Sequence, residues 1–249
     1  MKNYTLYSLV SLSFVILISF FDAHARVNFT NDQAAFNVNN PNLLKQNFQA
    51  SNQPQFGGSP CQPPINQFSD DACFMPGDIL PDIEFIDVPG PTINGMFVAG
   101  ADFAMLNNNP PNVLGHNTIV EALDVVFSNS PTAVSFILGC LTNNAPIPDC
   151  SESILIQVFD ELMLIGETVV EGDDFVDTFL GIESSRPITR INFQFVNPVV
   201  IKAVVLSEVN FGQGRGVVIP TLSEWGLIAT ASVMGVIGIL AVRRKKTIS

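Results

Sequence analysis

Apolar and polar positions divide this chain into three parts. An apolar run stands near each end, and short apolar runs separated by turn residues fill the middle. Ile83–Val88 and Ile93–Val98 are parted by Pro89-Gly90-Pro91, and Asp102–Leu106 precedes a predicted turn at Asn107–Pro111. Thr118–Phe127 and Ala133–Leu138 flank Asn129-Ser130-Pro131, while Ile154–Phe159 and Leu162–Ile165 flank Asp160-Glu161 as a predicted hairpin. Val169–Val170 leads into an acidic turn, Phe175–Leu180 follows, and Val199–Phe211 closes the series. The clearest alternation puts Ile191, Phe193 and Phe195 on a buried face, with Asn192 and Gln194 on a wet one. Upstream, Leu43–Phe48 reads as a strand. Asp32–Val38 reads as a short helix capped by Thr30 or Asn31, with Ala34, Ala35 and Val38 on one face and Pro41 ending it. Residues 50–82 are rich in Pro, Gln, Asn, Gly and Ser and predict a long loop, either functional or poorly ordered. Many short strands with little helix argue for an all-β fold, a single β-sandwich of jelly-roll type over residues 26–211. Residues 212–218, with three spaced glycines, read as a flexible linker.

The two end runs have different flanks. Met1–Ala25 combines Lys2, an apolar stretch through Leu6–Phe21, and Ala23-His24-Ala25. These are the n-region, h-region and A-x-A cleavage site of a secretory signal peptide, so signal peptidase is an expected partner and the mature chain is expected to begin at Arg26. At the other end, Leu227–Val242 carries no charge over sixteen residues. As a helix it would span about 24 Å at 1.5 Å per residue, somewhat less than the ~30 Å hydrocarbon core of a bilayer. Trp225 at one interface and the snorkelling side chains of Arg243, Arg244, Lys245 and Lys246 at the other make up the difference. That basic cluster fixes the C-terminal side in the cytoplasm by the positive-inside rule. A transmembrane helix over 227–242 is therefore expected, with Ile219–Gly226 held outside at the headgroups.

Charge narrows the partners. Residues 26–220 hold 21 acidic and 6 basic residues. Such a surface repels phosphate backbones and argues against nucleic-acid binding, while leaving divalent cations as ligands. Glu171-Gly172-Asp173-Asp174-Phe175-Val176-Asp177 packs four carboxylates around a glycine, which makes Asp173, Asp174 and Asp177 candidate Ca²⁺ ligands; the spacing is not that of an EF-hand, and a solvated acidic turn is the simpler reading. No other cofactor is indicated. The four cysteines, Cys61, Cys73, Cys140 and Cys150, suit two disulfides in an exported chain. Three connectivities are open, and proximity favours Cys61–Cys73 with Cys140–Cys150.

Catalytic chemistry finds little purchase. Both tyrosines precede Ala23, and Trp225 lies in the tail, so the body lacks the side chains on which sugar rings usually stack. Its phenylalanines read as core. His116 is the only histidine after His24 and sits in an Asn/Pro/Gly-rich stretch, which reads as a surface loop rather than as a catalytic base. Neither H-E-x-x-H nor G-x-S-x-G occurs. Glu152, Glu161, Glu167 and Glu171 are the right residue type for a glycosidase carboxylate pair, whose spacing is set by geometry and not by motif.

Ile219-Pro220-Thr221-Leu222, followed by Trp225-Gly226, an apolar span and a basic cluster, closely resembles the IPTL-CTERM sorting signal of Gram-negative bacteria, a relative of PEP-CTERM signals. The resemblance covers residues 219–246. It implies that an exosortase-type membrane transpeptidase recognises and removes the tail, after a transient stay at the inner membrane, and sends the body to the cell envelope, surface or extracellular matrix. In the body, DTFLGIESSRPITRINFQF and VVLSEVNFG resemble the last strands of β-sandwich proteins found ahead of such tails. Phe179 and Gly181 match that pattern, whereas Ser207-Glu208 supplies one acid where the family has a pair. These readings lead to an exported structural or interaction protein without catalysis, with extracellular polysaccharide as a candidate partner. The alternatives are a secreted carbohydrate-binding or glycan-active protein, and a receptor kept permanently in the membrane.

Overall fold

Residues 83–88 show how the alternation is used: Ile83, Phe85 and Asp87 are buried, while Glu84, Ile86 and Val88 are half-buried. The structure, a computed structural model, describes residues 27–51, 53–88, 95–101, 103, 107–108, 112–116, 122–142, 153–171, 175–196 and 202–214. All of them lie in one compact unit, Met1–Gly214. Sheet A contains eight strands. These are Val27–Thr30 (β1), Leu44–Asn47 (β2), Gly58–Cys61 (β3), Met96–Ala99 (β5), Val113–His116 (β7), Ala133–Thr142 (β9), Thr178–Ser184 (β13) and Lys202–Gly212 (β15). Their order is β1-β13-β9-β15-β7-β5-β3, with β2 also paired to β15. Sheet B contains Ile83–Val88 (β4), Ala122–Phe127 (β8), Ser153–Asp160 (β10), Met163–Glu171 (β11) and Arg190–Phe195 (β14), in the order β11-β10-β14-β8-β4. The described pairings within both sheets are antiparallel. The fold is a β-sandwich, as the turn spacing predicts.

Phenylalanine joins the two sheets. Phe136 of β9 meets Phe193 of β14 edge to face at 4.9 Å, and Phe127 of β8 meets Phe211 of β15 at 5.4 Å. Phe48, just beyond β2, meets Phe85 of β4 at 5.4 Å. Such pairs add about 0.5–1.5 kcal/mol each beyond the area they bury. The expectation that the phenylalanines form the core holds for these.

β15 is the hinge of the topology. One side of it pairs with β9; the other takes β7 at Val205 and Leu206, then β2 from Glu208 to Phe211. Its register slips between Leu206 and Glu208, so the bulge falls at Ser207, where the partner changes. Ser207 is buried and donates its hydroxyl to Ile137 O at 3.4 Å. Glu208 meets Lys45 of β2 at 2.5 Å.

A two-turn helix, Gln33–Asn39 (α1), covers the outer face of sheet A. Its N-cap is Asp32, whose Oδ1 accepts from Ala35 N at 2.9 Å, and not Thr30 or Asn31. Thr30 is occupied as the last residue of β1, paired with Gly181, and its Oγ1 accepts from Asp32 N. The expected inner face is also corrected: Ala34, Ala35 and Val38 are exposed, and Phe36 is the residue that packs down. Its ring meets Phe179 at 5.7 Å, beside Ala133 and Ile137. Gly181 makes room, since a Cβ there would lie 2.5 Å from Phe36 Cδ2.

Several other boundaries move. Asn107–Asn108 (β6), expected in a turn, pairs in parallel with Phe175–Val176 (β12), and the strand expected at Ile93–Val98 is Met96–Ala99. The Ala133 strand runs on to Thr142, and the runs expected at Leu162–Ile165 and Val169–Val170 merge, from Met163 onward, into one strand, β11. The hairpin turn is at Glu161-Leu162, with Glu161 at φ 54°. The run expected at Asp102–Leu106 lies mostly outside the described residues. Gly212 belongs to β15, where it pairs with Ala133.

Candidate functional site

The segment between β3 and β4 has the composition of a loop, yet it is built into the sandwich. Cys61, Ile65, Cys73, Phe74 and Ile79 are all core residues. Cys61–Cys73 is a disulfide, as proximity in sequence suggested. Asp71 works as a hub: Oδ2 accepts from Gln62 N at 2.7 Å, and Oδ1 from Cys73 N at 2.8 Å and Phe74 N at 3.0 Å. Ile65 exchanges both backbone hydrogen bonds with Phe85 at 2.9 Å, which covers the outer edge of β4. At the far end Gln46 of β2 accepts from Leu80 N at 2.6 Å. Carboxylates and amides that satisfy backbone groups replace the ladder of a regular element here.

A tight turn in this segment presents an aromatic ring. Asn66 Oδ1 accepts from Phe68 N at 2.9 Å, Asn66 O accepts from Ser69 N at 3.0 Å, and Asn66 N donates to Ser69 Oγ at 2.9 Å. Gln67 O accepts from Gly77 N at 2.9 Å. Asn66 Nδ2 also donates to Glu84 Oε2 of β4 at 2.9 Å, which ties the turn to the sheet. With its backbone so held, Phe68 is 75% exposed. Beside it lies a cavity of about 290 Å³, whose lining includes Asn66, Gln67, Phe68, Asp82, Glu84 and Ser128 together with the apolar Ile83 and Val126. Asp82 Oδ1 accepts from Ser128 Oγ at 2.8 Å. Among the described residues no Lys, Arg or His lines the cavity. Sequence reasoning passed over Phe68, Asp82 and Glu84. The available signal was Asn66 two residues ahead of an aromatic in an otherwise polar stretch, the spacing of an Asx turn.

A second polar group, on the outer face of sheet B, is satisfied within itself. Asp124 accepts from Asn192 Nδ2 at 2.6 Å and from Arg190 Nη1 at 3.2 Å, and the Arg190 guanidinium lies 4.0 Å from the centre of the Phe159 ring. Asn192 is therefore buried, contrary to the wet position expected from alternation. Glu167, in the neighbouring strand pair, accepts from Gln157 Nε2 at 3.2 Å.

The remaining sequence candidates are dispersed. His116 is fully buried in β7 and not in a surface loop, because β7 is covered on both faces; its Nε2 accepts from Val204 N at 3.2 Å. Glu161 stands in the β10–β11 turn, and Glu167 and Glu171 lie along β11. Glu152 lies outside the described residues, as do Asp173 and Asp174; Asp177 is exposed between β12 and β13. Among the described residues no group of three or more His, Cys, Asp or Glu is placed to hold a metal. Cys140 is disulfide-bonded and buried in β9; Cys150 lies outside the described residues. The expected signal peptide with Ala23 and Ala25, the tail motif, its apolar span and Arg243–Lys246 are outside them too. Among the described residues no helix is long and apolar enough to cross a membrane.

Residues 219–244 match the IPTL-CTERM motif. A sorting tail of this kind points to export toward the cell envelope or surface. No curated protein matches the chain. Among solved structures, the CBM32-1 and CBM32-2 domains of Clostridium perfringens ZmpB, in complex with GalNAc, are 12% identical with a TM-score of 0.27, over 40% of this chain and 26% of that one. The family 32 CBM of Clostridium perfringens NanJ, in complex with galactose, is 11% identical with a TM-score of 0.29, over 51% and 98%. CsCBM6-3 of Clostridium stercorarium, in complex with cellobiose, is 14% identical with a TM-score of 0.25, over 54% and 85%. At these TM-scores no property of those proteins is carried over to this chain.

Proposed function

We propose that this chain is an exported protein of the cell envelope, surface or extracellular matrix, whose tail is a substrate for an exosortase-type membrane transpeptidase. The observation that carries this reading is the IPTL-CTERM match at residues 219–244, which begins seven residues after β15 ends. Pro220 favours an extended approach that an enzyme cleft can grip. Trp225 sets the height of the motif at the membrane interface, and Arg243–Lys246 hold the far end in the cytoplasm. The sandwich is the cargo, and its role is structural or interactive. No catalytic step is assigned to it.

Intact mass spectrometry of the protein recovered from envelope and extracellular fractions tests the reading. The expected species begins at Arg26, lacks Arg243–Ser249, and is lighter than the reduced chain by four hydrogen atoms, the mark of two disulfides. Recovery of a chain that still carries Arg243–Ser249 in every fraction would overturn it in favour of a permanently anchored receptor.

A further inference from the structure

We propose that the cavity beside Phe68 is a glycan subsite that takes one uncharged pyranose unit of a polysaccharide. The proposal rests on the reading of the body as an exported interaction module. Phe68 is an exposed ring on a turn fixed by Asn66, so no ordering of its backbone is needed on binding. A pyranose offers a ring face of C–H groups that packs on an aromatic, and a rim of hydroxyl donors. The cavity offers the matching acceptors. Glu84 accepts one hydrogen bond from Asn66 and Asp82 one from Ser128, and a carboxylate has about four lone-pair sites, so each keeps capacity for sugar hydroxyls. The Gln67 amide adds a donor and an acceptor at the same rim. About 290 Å³ is the lower end of the small-molecule range, which fits one ring and not a buried oligomer.

Charge decides between sugars. Two carboxylates, with no cation among the described lining residues, repel uronates and phosphorylated glycans, so a neutral polysaccharide is the fit. The absence of tyrosine and tryptophan from the body is thus answered by a phenylalanine, which supplies the apolar face while neighbouring carboxylates supply the polar edge.

The test uses the full-length chain, purified in a sugar-free detergent and titrated calorimetrically with hexasaccharides of glucose, mannose and galactose. Hexagalacturonate and a lysine-containing peptide serve as rivals. At least one neutral hexasaccharide should bind, at least tenfold more tightly than hexagalacturonate. Phe68→Ala should weaken that binding tenfold or more, and Glu84→Gln several-fold, with melting unchanged in both, since Phe68 is exposed and glutamine keeps the acceptor for Asn66. Binding by none of the neutral sugars would overturn the proposal. So would wild-type affinity in both variants, or preference for the acidic sugar or the peptide. None of these outcomes touches the mass of the processed tail, so the two readings fail separately.

Discussion

The outer faces of the two sheets are treated in opposite ways. Sheet A is covered: α1 lies over β9 and β13, and a second apolar cluster of Phe97, Ala99, Val113, Ala203 and Val205 is packed by Phe103. Sheet B instead sets a polar net around Asp124 on its outer face, beside half-buried positions such as Glu84, Ile86 and Gln157. The strands record the difference. β5 and β7 are buried at every position, whereas β4 alternates strictly. An antiparallel sheet reads as continuous when both faces are covered and as alternating when one is wet. The cover of a sheet is therefore legible in its strands even when the covering element is not.

Removing the cover should have the largest effect. Phe36→Ala takes a buried ring from between α1 and Gly181, and should cost about 3–5 kcal/mol in chemical denaturation. A loss under about 1 kcal/mol would mean that α1 is not part of the cooperative unit. In the polar net of sheet B the penalty should be smaller. Asp124→Ala leaves the Asn192 amide and the Arg190 guanidinium without their shared acceptor, which should cost about 1–3 kcal/mol. Asp124→Asn should recover part of it by keeping an acceptor for one of the two. The smallest effect belongs to the rim of the same sheet. Arg186 meets Asp160 at 2.6 Å but keeps 39% side-chain exposure, so Arg186→Ala should cost about 0.2–1 kcal/mol and less at high salt. If Arg186→Ala were to cost more than Asp124→Ala, the distinction between a satisfied net and a solvent-screened pair would be wrong.

Strands β4 and β10 were legible because one-sided burial writes itself as alternation. Helix α1 was legible as an element but not in its rotation. Thr30, Asn31 and Asp32 are all good caps, and only the pairing of Thr30 with Gly181 leaves the task to Asp32. β3 was hidden by its composition, Gly-Ser-Pro-Cys, which a proline confines to an edge; it is the edge strand of sheet A. The Phe68 cavity was the least legible feature. Its parts come from residues 66–68, 82–84 and 126–128, joined by side chains that cap backbone groups and follow no period. His116 was misplaced because a lone histidine among asparagines and prolines looks the same whether its strand is covered or bare.

The shared edge of β15 has a mechanical meaning. This strand lies between β9 on one side and β7 with β2 on the other, and the chain leaves it to reach the sorting motif. Any pull on the C-terminus, whether from a membrane anchor or from whatever the body is joined to, enters the sandwich through β15. A force along that strand must shear several hydrogen-bonded ladders together instead of peeling one.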